Sequence, residues 1–349
     1  MRTPDDRRER LLAVVNERGT VPLRELAEVL AVSLVTVRRD VESLNNAGLL
    51  VRQHGSVSSL ERFSRGKAPG ASSPYVAMTL GSASPYLGPV AQAARRRAYE
   101  LGMRFVLHLV PDDQVAEAVG RFQADDGCAG VLVAPHWTRD ESLARAEELL
   151  TGPRPVVLVE RQPALEHPLA GLDQVGCDHA RGVFLAVDHL RSLGHGRLAL
   201  TARADSPTAR AVRSAFGRLV GEEHARDAVW VSPRDEAASP GALADFARWV
   251  TENDVTGVVA HNDWAAIQVH QALRDLGRDV PGDVSLIAYD DVVAELSTTA
   301  LTAVAPPVRE IGYTAVDVLR RRSQDREAPV RHVRLAPRLV VRGSTGPRR

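Results

Sequence analysis

Only two cysteines, Cys128 and Cys177, occur in the 349 residues, too few and too far apart for a disulfide framework or a zinc site. Both are expected as small buried hydrophobes. No apolar run approaches the roughly 18 residues that a membrane span needs. Lys67 is the sole lysine, an arginine bias that reads as genomic base composition. The 44 basic and 44 acidic residues cancel, so the chain does not coat nucleic acid along its whole surface, although a local basic face is open to it. There is no G-x-S-x-G, Walker A loop, Rossmann glycine fingerprint or HExxH, so neither an enzyme nor a cofactor or metal is expected. The N-terminus carries charges of both signs and runs straight into an amphipathic helix, without an apolar signal-peptide core, which predicts a cytoplasmic protein.

With 44% hydrophobic and 25% charged residues the composition is that of a soluble globular protein, and the length suits a small domain plus a larger one. Residues 1–58 read as three short helices and a hairpin. The first helix, Arg7 to Arg18, ends at Gly19 and the second spans Leu23 to Leu30; Ser33 is placed to cap a third, which runs to Asn46. Residues 59–74, rich in Ser, Gly, Pro and basic side chains, have linker composition. Over 75–349 short apolar runs (YVAMTL, RFVLHLV, AGVLVAP, PVVLVE, RLALT, AVWVS, TGVVA, VSLIAY) alternate with amphipathic stretches, including a helix expected from Asp140. That alternation predicts an α/β domain of two doubly wound parallel sheets, with ligands outside the carboxyl ends of the strands. The lobes are expected at about 75–161 with 292–324, and about 162–291 with 325–345.

The third helix is the most informative segment. Leu34, Val37, Val41 and Leu44 fall on one side at about 100° per residue, while Val35, Thr36, Arg39, Ser43 and Asn46 lie opposite and Arg38 on the flank. Thr and Arg on an exposed helix are side chains that read base edges and phosphates in a major groove. Leu50–Val57 reads as a wing, with Arg52 and His54 placed to touch backbone or minor groove. The run Ser33-Leu-Val-Thr36-Val-Arg38-Arg39-Asp40-Val, with Leu44, Gly48-Leu-Leu and Arg52-Gln-His54-Gly55, resembles the winged helix-turn-helix of DeoR-type repressors. The resemblance implies that Ser33, Thr36, Arg38 and Arg39 meet double-stranded operator DNA, with Asp40 structural.

In the second domain polar residues follow the strands: Ser82, Ser84 and Tyr86, then Arg161, Asp178, Asn262 and Asp263, and Asp290 and Asp291. Carboxylates, an amide and a guanidinium together suit the hydroxyls of a sugar-like guest, and Arg can pair bidentately with an anionic group. Ser84-Pro-Tyr86, Val157-Leu-Val-Glu-Arg161, Asp178 with Asp188-His189-Leu and Leu193-Gly-His195, Asn262-Asp263, Val280 to Asp291 and Pro337 to Ser344 together resemble the effector domain of LacI/GalR repressors, which share a fold with periplasmic sugar-binding proteins. The resemblance implies effector contacts at Arg161, Asp178, Asn262 and Asp290, with Ser84 and Tyr86 near the first strand. Val212 stands where the family often has an effector-binding arginine, with Arg210 and Arg213 nearby, and Arg210 is the candidate substitute. Ala288 and Pro306 replace the usual Gly and Gln.

Asp178 fits either an effector contact or a helix N-cap, and Asp263 fits a cap. His189 and His195 fit helix-end roles better than metal ligation. The implied protein is a regulator, by family default a repressor, acting as a homodimer whose operator affinity changes when a sugar or related polyol binds between the lobes. A carbohydrate-metabolism enzyme fused to a DNA-binding domain is the alternative.

Overall fold

Three short helices can fold as a unit only if each buries an apolar stripe against the other two. In the computed structural model α1 (Pro4–Arg18), α2 (Leu23–Leu30) and α3 (Leu34–Asn46) do so, enclosing Leu11, Val15, Leu26, Val37 and Val41 with Leu50 and Val57. Ala31, in the left-handed conformation at φ 54°, makes the tight turn from α2 toward α3. β1 (Thr20–Pro22), β2 (Val51–Gln53) and β3 (Ser56–Ser58) form an antiparallel sheet in the order β1-β3-β2. The expected hairpin thus gains a third strand from the α1–α2 connection. Gly55, at φ 80°, sits between β2 and β3.

The structure describes residues 4–46, 50–53, 55–58, 70, 72–80, 86–135, 152–204, 206–221, 228–232 and 240–348. Most of the 59–74 linker and the helix expected from Asp140 lie outside them.

Among the described residues, the remaining chain builds two six-stranded sheets. The first, ordered β14-β8-β7-β6-β4-β5, is parallel throughout. It comprises β4 (Tyr75–Leu80), β5 (Arg104–Leu109), β6 (Cys128–Ala134), β7 (Val156–Val159), β8 (Asp173–Cys177) and β14 (His332–Leu335). Its alternating side chains feed two cores, Val76, Met78 and Leu132 against α4 (Leu87–Glu100) and α10 (Val308–Gln324), and Ala77, Val131 and Val133 against α5 (Val115–Gln123). α10 presses close on α4: a Cβ at Gly312 would lie 2.4 Å from the Val90 carbonyl oxygen.

The second sheet, ordered β10-β9-β11-β12-β13-β15, comprises β9 (Leu198–Arg203), β10 (Val229–Ser232), β11 (Gly257–His261), β12 (Ser285–Tyr289), β13 (Thr302–Ala305) and β15 (Arg338–Val340). It is parallel except that β15 runs antiparallel to β13. α6 (His179–Ser192) and α7 (Pro207–Val220) supply one of its cores, and α8 (Pro240–Glu252) and α9 (Asp263–Asp275) the other.

The expected lobe boundaries move. β8 pairs with β7 and β13 with β12, so the chain crosses between sheets near Asp178, Pro306–Pro307 and residues 336–337 rather than at 161, 291 and 324. β8 escaped recognition because it reads DQVGC. Its Asp173 carboxylate is satisfied inside the fold by Arg322 at 2.7 and 3.2 Å and by the Arg331 amide at 2.7 Å, and Gln174 Oε1 accepts from Arg334 at 2.7 Å while its Nε2 has no partner among the described residues.

Candidate DNA-binding and effector sites

α3 turns Val37 and Val41 fully inward and leaves Val35 75% exposed, so its opposite face is open to a partner. Ser33 starts it: the Thr36 amide donates to Ser33 Oγ at 3.1 Å, and the two hydroxyls lie 2.8 Å apart. Ser33 and Arg38 are exposed and Thr36 half-buried. Asp40 is buried and accepts two hydrogen bonds from Arg7, at 2.6 and 3.1 Å, which tie α1 to α3. Arg39 stands on α3 and Arg52 on β2, their side chains not among the described parts; His54 lies outside the described residues. The first turn of α3 therefore presents hydroxyls and Arg38 from a helix anchored on its other side, a shape suited to a DNA groove.

In the larger domain the candidate site forms where strand ends of both sheets meet. Arg161, just after β7, donates to the backbone oxygens of Pro135, Glu160 (3.0 Å) and Ala134 (3.1 Å). Three of its five N–H groups are thus held by backbone carbonyls. Burial pulls its pKa down to about 10 against the opposing pull of Glu160, so it stays charged at neutral pH. Arg210, exposed on α7, is near enough for its charge to add to that lowering. Asp290 follows β12 at φ 101°, and burial, then the Asp263 and Glu160 carboxylates, push its carboxyl well above the usual range. Tyr86 opens α4, its hydroxyl buried without a hydrogen-bond partner among the described residues. Ser84 lies outside the described residues.

Arg161 is thus within electrostatic reach of Tyr86 and Arg210, and Tyr86 of Asp290, whereas two other expected contacts have structural duties. The Asp178 carboxylate caps α6 by accepting from the Arg181 amide at 2.9 Å. The Asn262 side-chain oxygen caps α9, accepting from the amides of Trp264 and Ala265 at 3.2 and 3.4 Å. Asp263 is not the cap expected of it; its carboxylate accepts from the amides of Asp291, Val292 and Val293 at 3.2, 2.6 and 2.8 Å and pins the loop beyond Asp290.

Beneath these side chains lies a polar chain that the sequence reading did not find. Glu160, buried at φ 56°, accepts from the Cys177 amide at 2.8 Å and pairs with His179 Nε2 at 3.2 Å, and His179 Nδ1 meets the Tyr289 hydroxyl at 3.0 Å. Gly182 lets α6 close over it, since a Cβ there would sit 2.6 Å from that hydroxyl. His261, at the end of β11, packs its ring 5.4 Å from Tyr289. A titratable residue directly after an apolar strand was the available signal at Glu160 and His261. His189 and His195 bond instead to Thr345 (3.0 Å) and to Thr256 and Gly346 (3.1 and 3.0 Å), fastening the final residues to the second lobe. No group of three or more possible metal ligands occurs among the described residues.

Two sheets with helices on both faces and polar groups gathered at their strand ends define the periplasmic-binding-protein class, and residues 187–345 match the profile described as a periplasmic binding protein-like domain. Residues 7–63 match a DeoR-like helix-turn-helix domain. The HTH-type transcriptional regulator MalR of Streptomyces coelicolor is 31% identical over 244 residues, spanning 67% of this chain and 69% of that protein. The chain belongs to the LacI family of HTH-type transcriptional regulators, and it is a DNA-binding regulator rather than an enzyme fused to a DNA-binding domain. Its fold is also that of the transcriptional regulator CelR–cellobiose complex (TM-score 0.67, 22% identity, 89% of this chain and 90% of that one). The lac repressor dimer bound to operator and the anti-inducer ONPF is similar to it as well (TM-score 0.67, 19% identity, 82% and 98%).

Proposed function

We propose that the protein represses transcription by binding operator DNA as a homodimer, and that a sugar or related polyol held between its lobes changes operator affinity. The observation that carries the DNA half is α3, with Val37 and Val41 sealed inside and Ser33 and Arg38 outside. Ser33, Thr36, Arg38 and Arg39 then face the major groove, and Arg52 and His54 the backbone or minor groove. The sensing half is supported by the convergence of Tyr86, Arg161, Arg210 and Asp290, and by the cellobiose bound to CelR. Asp178, Asn262 and Ser84 complete the effector set, the first two while also capping helices. The dimer reading is supported by the lac repressor dimer and by edge strand β5, which leaves Leu107 46% and Leu109 54% exposed, an apolar face suited to a second copy. Cytoplasmic action follows from this role, and no helix among the described residues is long and apolar enough to cross a membrane.

The test is selection of duplexes from a randomised pool, followed by affinity measurements across salt concentrations. Arg39→Ala is expected to weaken binding to the selected duplex by about 1–3 kcal/mol, and Arg52→Ala to weaken binding to all duplexes and flatten the salt dependence. Unchanged affinity in both variants at every salt concentration refutes the DNA-contact assignment.

A further inference from the structure

Two polar atoms beside the candidate effector site are sealed from water with no hydrogen-bond partner among the described residues, the Tyr86 hydroxyl from the first lobe and His261 Nδ1 from the second. His261 is 4% exposed. Both border the same buried chain. The His261 ring lies 5.4 Å from Tyr289, whose hydroxyl bonds His179, which in turn bonds Glu160. Burial, then the charges of Glu160, Cys177 and Asp290, raise the Tyr86 phenol well above its usual pKa, so those groups lie within electrostatic reach of it. Other buried polar atoms without a partner among the described residues differ in place: those of Thr79, His108, Gln174 and Thr201 lie within strands β4, β5, β8 and β9, and that of Arg154 just before β7.

A buried polar atom left unpaired forfeits its hydration, and phenylalanine or leucine would fill either position without that loss. We infer that His261 and Tyr86 are a cross-cleft pair of effector contacts which hydrogen-bond a hydroxyl-bearing guest from opposite lobes and set its specificity. The inference rests on the sensing half of the proposed function. A phenol and a neutral imidazole each offer a donor and an acceptor, as a sugar hydroxyl does, so each can complete the other's pairing. Glu160 and His179 then act as positioning residues, fixing Tyr289 and through its ring the plane of His261.

The test uses the full chain and a thermal-shift and calorimetric panel of D-ribose, D-glucose, maltose and cellobiose at pH 7.5, on wild type, Tyr86→Phe and His261→Leu. Tyr86→Phe keeps the ring and its packing, so the fold is not at stake. The expected result is a sugar that raises the wild-type melting temperature and binds about tenfold or more weakly to each variant, while neither variant is less stable than wild type without sugar. A sugar that binds both variants as tightly as wild type overturns the pair and leaves the sensing reading standing. A panel in which no sugar shifts the wild type overturns the sensing reading and the pair with it.

Discussion

Acid should unmask His261. It is 4% exposed, and burial, reinforced by the charges of His179, Arg203 and Arg213, lowers its pKa from 6.5 to about 3. The native state therefore keeps a neutral imidazole where the unfolded chain takes up a proton. Below pH 6.5 the unfolded state binds more protons, so stability falls as pH falls, and the stabilisation present above 6.5 continues to drain until about pH 3. One pKa unit is worth about 1.36 kcal/mol, so moving from pH 7.5 to 5.0 costs the native state about 2 kcal/mol through this side chain alone. His261→Leu removes that linkage. Urea denaturation of wild type and variant at pH 7.5, 6.5, 5.5 and 5.0 isolates it, because carboxylates common to both chains cancel in the difference. The variant is expected to gain about 2 kcal/mol on wild type between the ends of the series, with most of the gain below pH 6.5. Parallel stability curves for the two proteins across the whole range would show that His261 titrates normally and that its burial exacts no proton-linked cost.

Two packing contacts give further tests. Asp40→Ala strips Arg7 of both its carboxylate hydrogen bonds, and the helix-turn-helix unit is expected to lose about 2 kcal/mol, read by urea denaturation followed by far-ultraviolet circular dichroism; an unchanged midpoint refutes the structural role of Asp40. Gly312→Ala adds a methyl 2.4 Å from the Val90 carbonyl oxygen and 2.7 Å from Ala93 Cβ. Although alanine favours helix by about 1 kcal/mol, overpacking of α4 against α10 is expected to win, for a net loss of about 1–2 kcal/mol. A melting temperature equal to or above that of wild type would mean that the two helices separate without cost.

Legibility from sequence followed the range of the interaction. α3 could be read because its pattern is local: the stripe Val37, Val41 and Leu44 and the hydroxyl of Ser33 lie within a dozen residues and need no distant partner to be recognised. The apolar strands could be read for the same reason. β8 could not, since DQVGC looks like a loop until Arg322 and Arg334, about 150 residues later, arrive to bond the Asp173 carboxylate and Gln174 Oε1. The placing of lobe boundaries failed with it. In the site, residue type pointed to Arg161 and Asp290, but not to what Arg161 bonds, because backbone carbonyls leave no mark in a sequence. His261 had still less signal: one histidine after an apolar run, whose lack of a partner exists only in three dimensions.

The two polar systems at the lobe junction have opposite consequences for motion. The Glu160–His179–Tyr289 chain joins a residue of the first lobe to two of the second with its hydrogen bonds already made, so any movement of the lobes that parts Glu160 from His179 must break a buried pair. Tyr86 and His261 sit on the same floor with bonds still to make. A guest moves the equilibrium between lobe arrangements only by its difference in affinity for them, and reversing a 1:99 ratio takes about 5.5 kcal/mol. Hydrogen bonds at about 0.5–1.5 kcal/mol each place the Tyr86 and His261 contacts at no more than about half of that. The remainder has to come from further contacts, and Asp290 is placed to give one: burial and the Asp263 and Glu160 carboxylates raise its carboxyl well above the usual range, and a hydroxyl that donates to it would favour its ionised form. On the proposed pairing, the guest that switches this regulator is expected to reach Tyr86, His261 and Asp290 at once, and a monohydric alcohol, able to reach one of them, should bind without changing operator affinity.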